Sequence, residues 1–191
     1  MAEAEQRGAA VLHVLPVGGG IVALSPLPGA AGDFRGNLEH VTSLRPAFVV
    51  CLATQAEMEE VGARSLPQAV QDKGTRWLHV PVMAAEAPSA ETLSAWTEAS
   101  AALRRALAGG GRVVVYSRAG AGRAGMLVLR LMIEAGEAPD EAETRLVAVH
   151  PGAVVPGPQR DWALAAPREA VEFRRHPDEA RRAGPGSGKK P

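Results

Sequence analysis

Between Val113 and Gly125 the sequence reads V-V-V-Y-S-R-A-G-A-G-R-A-G, and these residue types suit one task, the holding of an anion. Gly120 and Gly122 can turn backbone N–H groups inward with no side chain in the way. Arg123 follows at once, and its planar guanidinium can grip two oxygens of a phosphate together. Ser117 stands at the other end of the loop, with five residues between it and Arg123.

Such a loop needs a strand before it and a helix behind it. The run of β-branched residues at Val113 to Val115 predicts the strand, and the apolar stretch Met126 to Glu134 predicts the helix. A helix start adds unpaired N–H groups and the positive end of the helix dipole. Upstream, Val11 to Val17 and Ile21 to Ser25 are apolar runs split by Gly18-Gly19-Gly20, the pattern of a hairpin. Asn37 is expected to cap a short helix through Leu44. Ala47 to Leu52 then reads as a buried strand. Thr54 with Glu57 matches a capping box for a helix to Val61. A helix over Ser65 to Asp72, a strand over Arg76 to Val82 and a helix from Ser89 to Ala108 follow. Leu93, Trp96, Leu103 and Leu107 share one face of that last helix by spacing. Beyond the loop, helices are expected over Pro139 to Val149 and Gln159 to Phe173, with Pro167 a break. Strands alternating with helices predict an α/β domain with a mainly parallel sheet. The expected division is a flexible N-terminus over 1–8, a folded domain over 9–174 and a disordered tail over 175–191.

Composition narrows the function classes. The 191 residues suit one domain, and 46% hydrophobic residues suit a core. Lys plus Arg equals Asp plus Glu at 21 each, so there is no basic field for nucleic acid. One cysteine, Cys51, excludes an intramolecular disulfide and a cysteine metal cluster. Its apolar run, F-V-V-C-L, predicts a buried thiol. No apolar stretch reaches the length of a membrane span. His13, His40, His150 and His176 lack metal-ligand spacing, and His79 reads as a structural strand residue. The expectation is a cytoplasmic monomer with no metal, cofactor, membrane or nucleic-acid partner.

The loop resembles the phosphate-binding loop of the cysteine-dependent protein tyrosine and dual-specificity phosphatases, whose pattern is His-Cys-(five residues)-Arg-Ser/Thr. On that resemblance the stretch Ser117, Arg118, Ala119, Gly120, Ala121, Gly122 and Arg123 is taken as the candidate cradle. The resemblance extends over most of residues 23 to 173 and is nearest the group of the cyclin-dependent kinase inhibitor 3 phosphatase. It implies a phosphotyrosine-phosphatase-like fold with a sheet of about 4–5 strands flanked by helices. The family's histidine falls on Tyr116, its nucleophilic cysteine on Ser117 and its Ser/Thr on Ala124. The general-acid aspartate falls on Ala84, or on Ala85 with a slip of one, and Glu86 is the nearest carboxyl. Gln159 matches the glutamine that positions water. A serine hydroxyl is far more basic than a thiol of ordinary pKa about 8.5 and has no visible base in Y-S-R-A-G. The expectation is a pseudophosphatase that holds a phosphate monoester, such as phosphotyrosine or phosphothreonine in a protein, without hydrolysing it.

Three other readings stand beside it. Ser117 could be an engineered cysteine replacement in an active phosphatase. The chain could be a non-enzymatic interaction module, binding through Trp96, Trp162 or helix surfaces, with a vestigial loop. Gly120 to Gly125 also satisfies G-x-G-x-x-G, the dinucleotide fingerprint, although no second strand with an acidic end follows it.

Overall fold

The computed structural model of the protein describes residues 10–168. Arg112–Ser117 forms a strand at the middle of a five-stranded sheet. In chain order the elements are β1 (His13–Val17), β2 (Gly20–Pro26), α1 (Phe34–Thr42), β3 (Phe48–Cys51), α2 (Gln55–Glu60), α3 (Leu66–Gln71), β4 (Arg76–His79), α4 (Ala90–Ala108), β5 (Arg112–Ser117), α5 (Arg123–Glu134), α6 (Pro139–Val149) and α7 (Pro158–Leu164). The sheet order is β1-β2-β5-β3-β4. Only β1 runs antiparallel, as the outer arm of the expected hairpin. Gly18 and Gly19 turn that hairpin at φ of +58° and +97°, where a side chain would be strained.

Both faces of the sheet are buried, so its strands are continuous apolar runs rather than alternating ones. Phe48, Val50, Val113 and Val115 pack toward one core with α4, α5 and α7 residues. Val49, Cys51, Val114 and Tyr116 pack toward the other with residues of α1, α2 and α3. α5 is buried along nearly its whole length, which fits a helix that is apolar all round. Gly125 lets it approach the following loop: a Cβ there would overlap the Ala153 carbonyl.

Several expectations are corrected. α1 is capped by Asp33, whose Oδ1 accepts from the Gly36 amide at 2.9 Å, and Asn37 lies inside the helix. Asn37 is instead a tie: its Oδ1 accepts from the Ala10 amide at 2.7 Å. β4 ends at His79 rather than Val82, and α5 starts at Arg123 rather than Met126. α7 stops at Leu164, before Pro167. The last residues of the expected helix to Phe173, the leader over 1–8 and the tail over 175–191 lie outside the described residues.

Trp96 is 2% exposed, and Trp162 packs edge-on to it at 6.3 Å between ring centroids. Trp96 Nε1 donates to the buried Glu134 carboxylate, which also receives Ser100 Oγ and Arg130 Nε. Trp96 is therefore a core residue that a partner cannot read, and Trp162 is half-buried against that core.

Candidate phosphate-binding site

The 117–123 loop lies at the C-terminal end of β5, the edge of a parallel sheet where α/β folds place their ligands. Glycine makes its path possible. Gly120 and Gly122 have φ of +71° and +45°, and a Cβ on Gly120 would collide with the backbone of Ser25 and Pro26. The amides of Arg118, Ala119, Ala121 and Arg123 have no hydrogen-bond partner among the described residues. Tyr116 does not fill the concavity. It points to the opposite face of the sheet, among α1–α3 residues, where burial raises its pKa and its Oη lacks a partner among the described residues.

One peptide of the loop is turned the other way. The Ala121 carbonyl accepts from Ser117 Oγ at 3.1 Å and from the Ala124 amide at 3.1 Å. At the other end of that peptide, the Gly122 amide donates to the Gly152 carbonyl at 3.4 Å. The segment 150–153 thus braces the loop from outside. The His150 ring, in the same segment, stacks 3.9 Å from that of His13. Burial lowers its pKa, and the neighbouring His13 lowers it further.

Arg123 is 8% exposed and tightly held. Its Nη1 and Nη2 donate to Glu57 Oε2 and Oε1 at 2.8 and 2.6 Å, an end-on bidentate pair. Nη1 also reaches the Val82 carbonyl at 2.8 Å and the Leu52 carbonyl at 3.4 Å. The side-on edge, Nε–H with the second Nη2 hydrogen, has no partner among the described residues. A guanidinium can hold a carboxylate end-on and a second oxyanion side-on at the same time.

Gln159 is buried, and its Nε2 donates to the carbonyls of Glu86 at 2.9 Å and Met83 at 3.5 Å. It therefore straps down the turn carrying Ala84, which is exposed. Its Oε1 lies 3.9 Å from a Cβ built on Gly122, so the strap also flanks the loop. The structure brings Ser117, Arg123, Gln159 and the Ala84 turn into one region. A cleft of about 450 Å³ adjoins it, with Arg118 and Ala119 in its lining.

No protein-family model matches the sequence, and no curated protein does. Solved structures do match. The kinase associated phosphatase with serine for its catalytic-site cysteine superposes at a TM-score of 0.71 with 17% identity, over 82% of this chain and 93% of that one. PTPMT1 in complex with PI(5)P gives 0.61 at 18% identity, over 75% and 87%. The human tyrosine phosphatase-like serine/threonine/tyrosine-interacting protein gives 0.59 at 16% identity, over 79% and 91%. The chain has the protein tyrosine phosphatase fold.

Within the phosphatase fold the G-x-G-x-x-G match follows β5, the last strand among the described residues, and not the first strand of a βαβ unit as a dinucleotide site requires. Cys51 is no substitute nucleophile: burial pushes its thiol up to about 12. His79 is structural, with Nε2 2.8 Å from the Ala53 carbonyl. Ala124 is fully buried in the core. Two residues were missed as site residues. Glu57 does form the expected capping box, but the sequence gives no sign that it also receives Arg123. Gly152 is the other, and its contact with Gly122 depends on tertiary packing.

Proposed function

We propose that this chain is a pseudophosphatase: a phosphatase-fold protein that binds a phosphate monoester at the 117–123 loop and does not turn it over. One observation carries the reading. Glu57 fixes Arg123 end-on while its side-on edge stays unpartnered among the described residues. Four loop amides are in the same condition. This set of donors suits a tetrahedral dianion.

The missing chemistry supports the second half of the reading. Ser117 offers a hydroxyl bonded to a carbonyl, with no base against it among the described residues. A methyl group stands at Ala84, where the resemblance places the general acid, a group worth ~10²–10⁴-fold. Gln159 holds the turn instead of a water. PTPMT1, of the same fold, is described in complex with a phosphoinositide, and phosphotyrosine or phosphothreonine in a protein would present the same phosphate group.

The test joins turnover to binding. Full-length protein is expected to give no p-nitrophenyl phosphate hydrolysis above that of Arg123→Ala. By calorimetry it should bind inorganic phosphate, and Arg123→Ala should weaken this by about 1.5–3 kcal/mol. Turnover that depends on Arg123 would overturn the inactive reading. Phosphate affinity indifferent to Arg123 would overturn the binding reading.

A further inference from the structure

The orientation of the 121–122 peptide does not suit an anion site. In a trans peptide the carbonyl and the N–H point in opposite directions. Here the Ala121 oxygen meets Ser117 Oγ and the Ala124 amide, and the Gly122 N–H meets the Gly152 carbonyl. A partial negative charge therefore sits among the donors that a phosphate would need. It occupies one of them, the hydroxyl at the nucleophile position, and is held there by the Ala124 amide as well.

We propose that Ser117 is a latch: its hydroxyl holds the Ala121 carbonyl inward and closes the cradle, and phosphate binds by turning the 121–122 peptide over. This rests on the phosphate-binding reading above and adds how that binding is gated. Turning the peptide rotates ψ of Ala121 and φ of Gly122 by about half a turn in opposite senses. Gly122 lies at φ of +45° and has no Cβ, so it can occupy both the present state and one at negative φ. Afterwards its N–H faces the anion and the Ala121 oxygen faces away. The bonds to Ser117, Ala124 and Gly152 are exchanged for bonds to phosphate oxygens.

The latch gives the serine a role of its own. A hydroxyl is a full hydrogen-bond donor, whereas a thiol is a weak one. Serine at position 117 thus favours the closed loop more than cysteine would. It acts as a positioning residue through the Ala121 carbonyl.

The experiment compares wild type, Ser117→Ala and Ser117→Cys as full chains. Amide hydrogen exchange at Gly122 is read without ligand, and inorganic phosphate affinity is read by calorimetry. Loss of one neutral hydrogen bond should shift the closed–open balance about threefold to tenfold. Ser117→Ala is expected to exchange Gly122 faster and to bind phosphate tighter by that factor, with Ser117→Cys between it and wild type. Ser117→Cys keeps nearly the same size, so its intermediate behaviour separates the latch from a packing defect in Ser117→Ala.

Unchanged Gly122 exchange in both variants overturns the latch, whatever the affinities. Weaker phosphate binding in Ser117→Ala also overturns it, because the hydroxyl would then be a phosphate ligand. Faster exchange with no phosphate heat in any protein supports the latch and sinks the binding reading instead.

Discussion

Glu57 Oε2 accepts from the Thr54 amide and from Arg123 Nη1, both at 2.8 Å. One carboxylate thus caps the start of α2 and holds the guanidinium. The hydrogen bond from Arg123 is the main reason that its pKa falls from 4.5 to about 2. A lowered value in the fold means stability that is present above pH 4.5 and is lost as pH falls from there toward about 2. Glu57→Gln keeps the shape and removes the charge. At neutral pH it is expected to cost about 1.5–3 kcal/mol in denaturant unfolding. Its acid unfolding curve should lack the loss that wild type shows in that window. Coincident acid curves would show that the pair adds no net stability. The sequence disclosed half of this residue: the Thr54–Glu57 spacing is local, whereas Glu57 and Arg123 meet only because α2 and α5 flank the same end of the sheet.

At the scale of elements, the loop is shaped as much by its neighbours as by its own glycines. α5 and the 150–157 segment come together at Gly125, where a Cβ would overlap the Ala153 carbonyl. The obstacle is backbone, so it cannot swing aside as a side chain would. Gly125→Ala is therefore expected to destabilise by about 1–3 kcal/mol. It should also free the Gly122 amide by pushing Gly152 away. Thermal unfolding and amide exchange check the two effects, and a variant as stable as wild type would mean that the segment yields easily. Helix ends follow the same division. The cap at Thr54 was legible because its side chain accepts from an amide three residues on, and Ser89 opens α4 in the same way. Asn37 misled because Asp33 caps the same turn and Asn37 is drawn inward to the Ala10 amide. The end of β4 was misplaced because β3 stops at Cys51: Val80 and Val82 still donate to the Cys51 and Leu52 carbonyls at 2.9 and 3.1 Å, but Pro81 between them has no N–H to pair.

For the whole molecule, the clearest test of the cradle is to return the chemistry it lacks. Ser117→Cys with Ala84→Asp is expected to give p-nitrophenyl phosphate turnover that Arg123→Ala abolishes. Ser117→Cys alone should be slower by ~10²–10⁴-fold, the usual contribution of a general acid. Silence from the double variant, with phosphate binding intact, would mean that Tyr116, Ala124 or the strapped Ala84 turn has moved the site beyond repair. The alternation of apolar runs with capped helices, the glycine loop between strand and helix, and the five-residue spacing from Ser117 to Arg123 were all present in the sequence. Each depends on neighbours along the chain, so the α/β order could be read from it and an anion loop expected. The tertiary structure alone decided that Glu57 takes one edge of Arg123, that Gln159 straps the Ala84 turn, and that Gly152 draws the Gly122 amide outward. Those contacts join residues far apart in the chain, and the direction of one peptide bond among them sets whether the cradle presents an N–H or an oxygen.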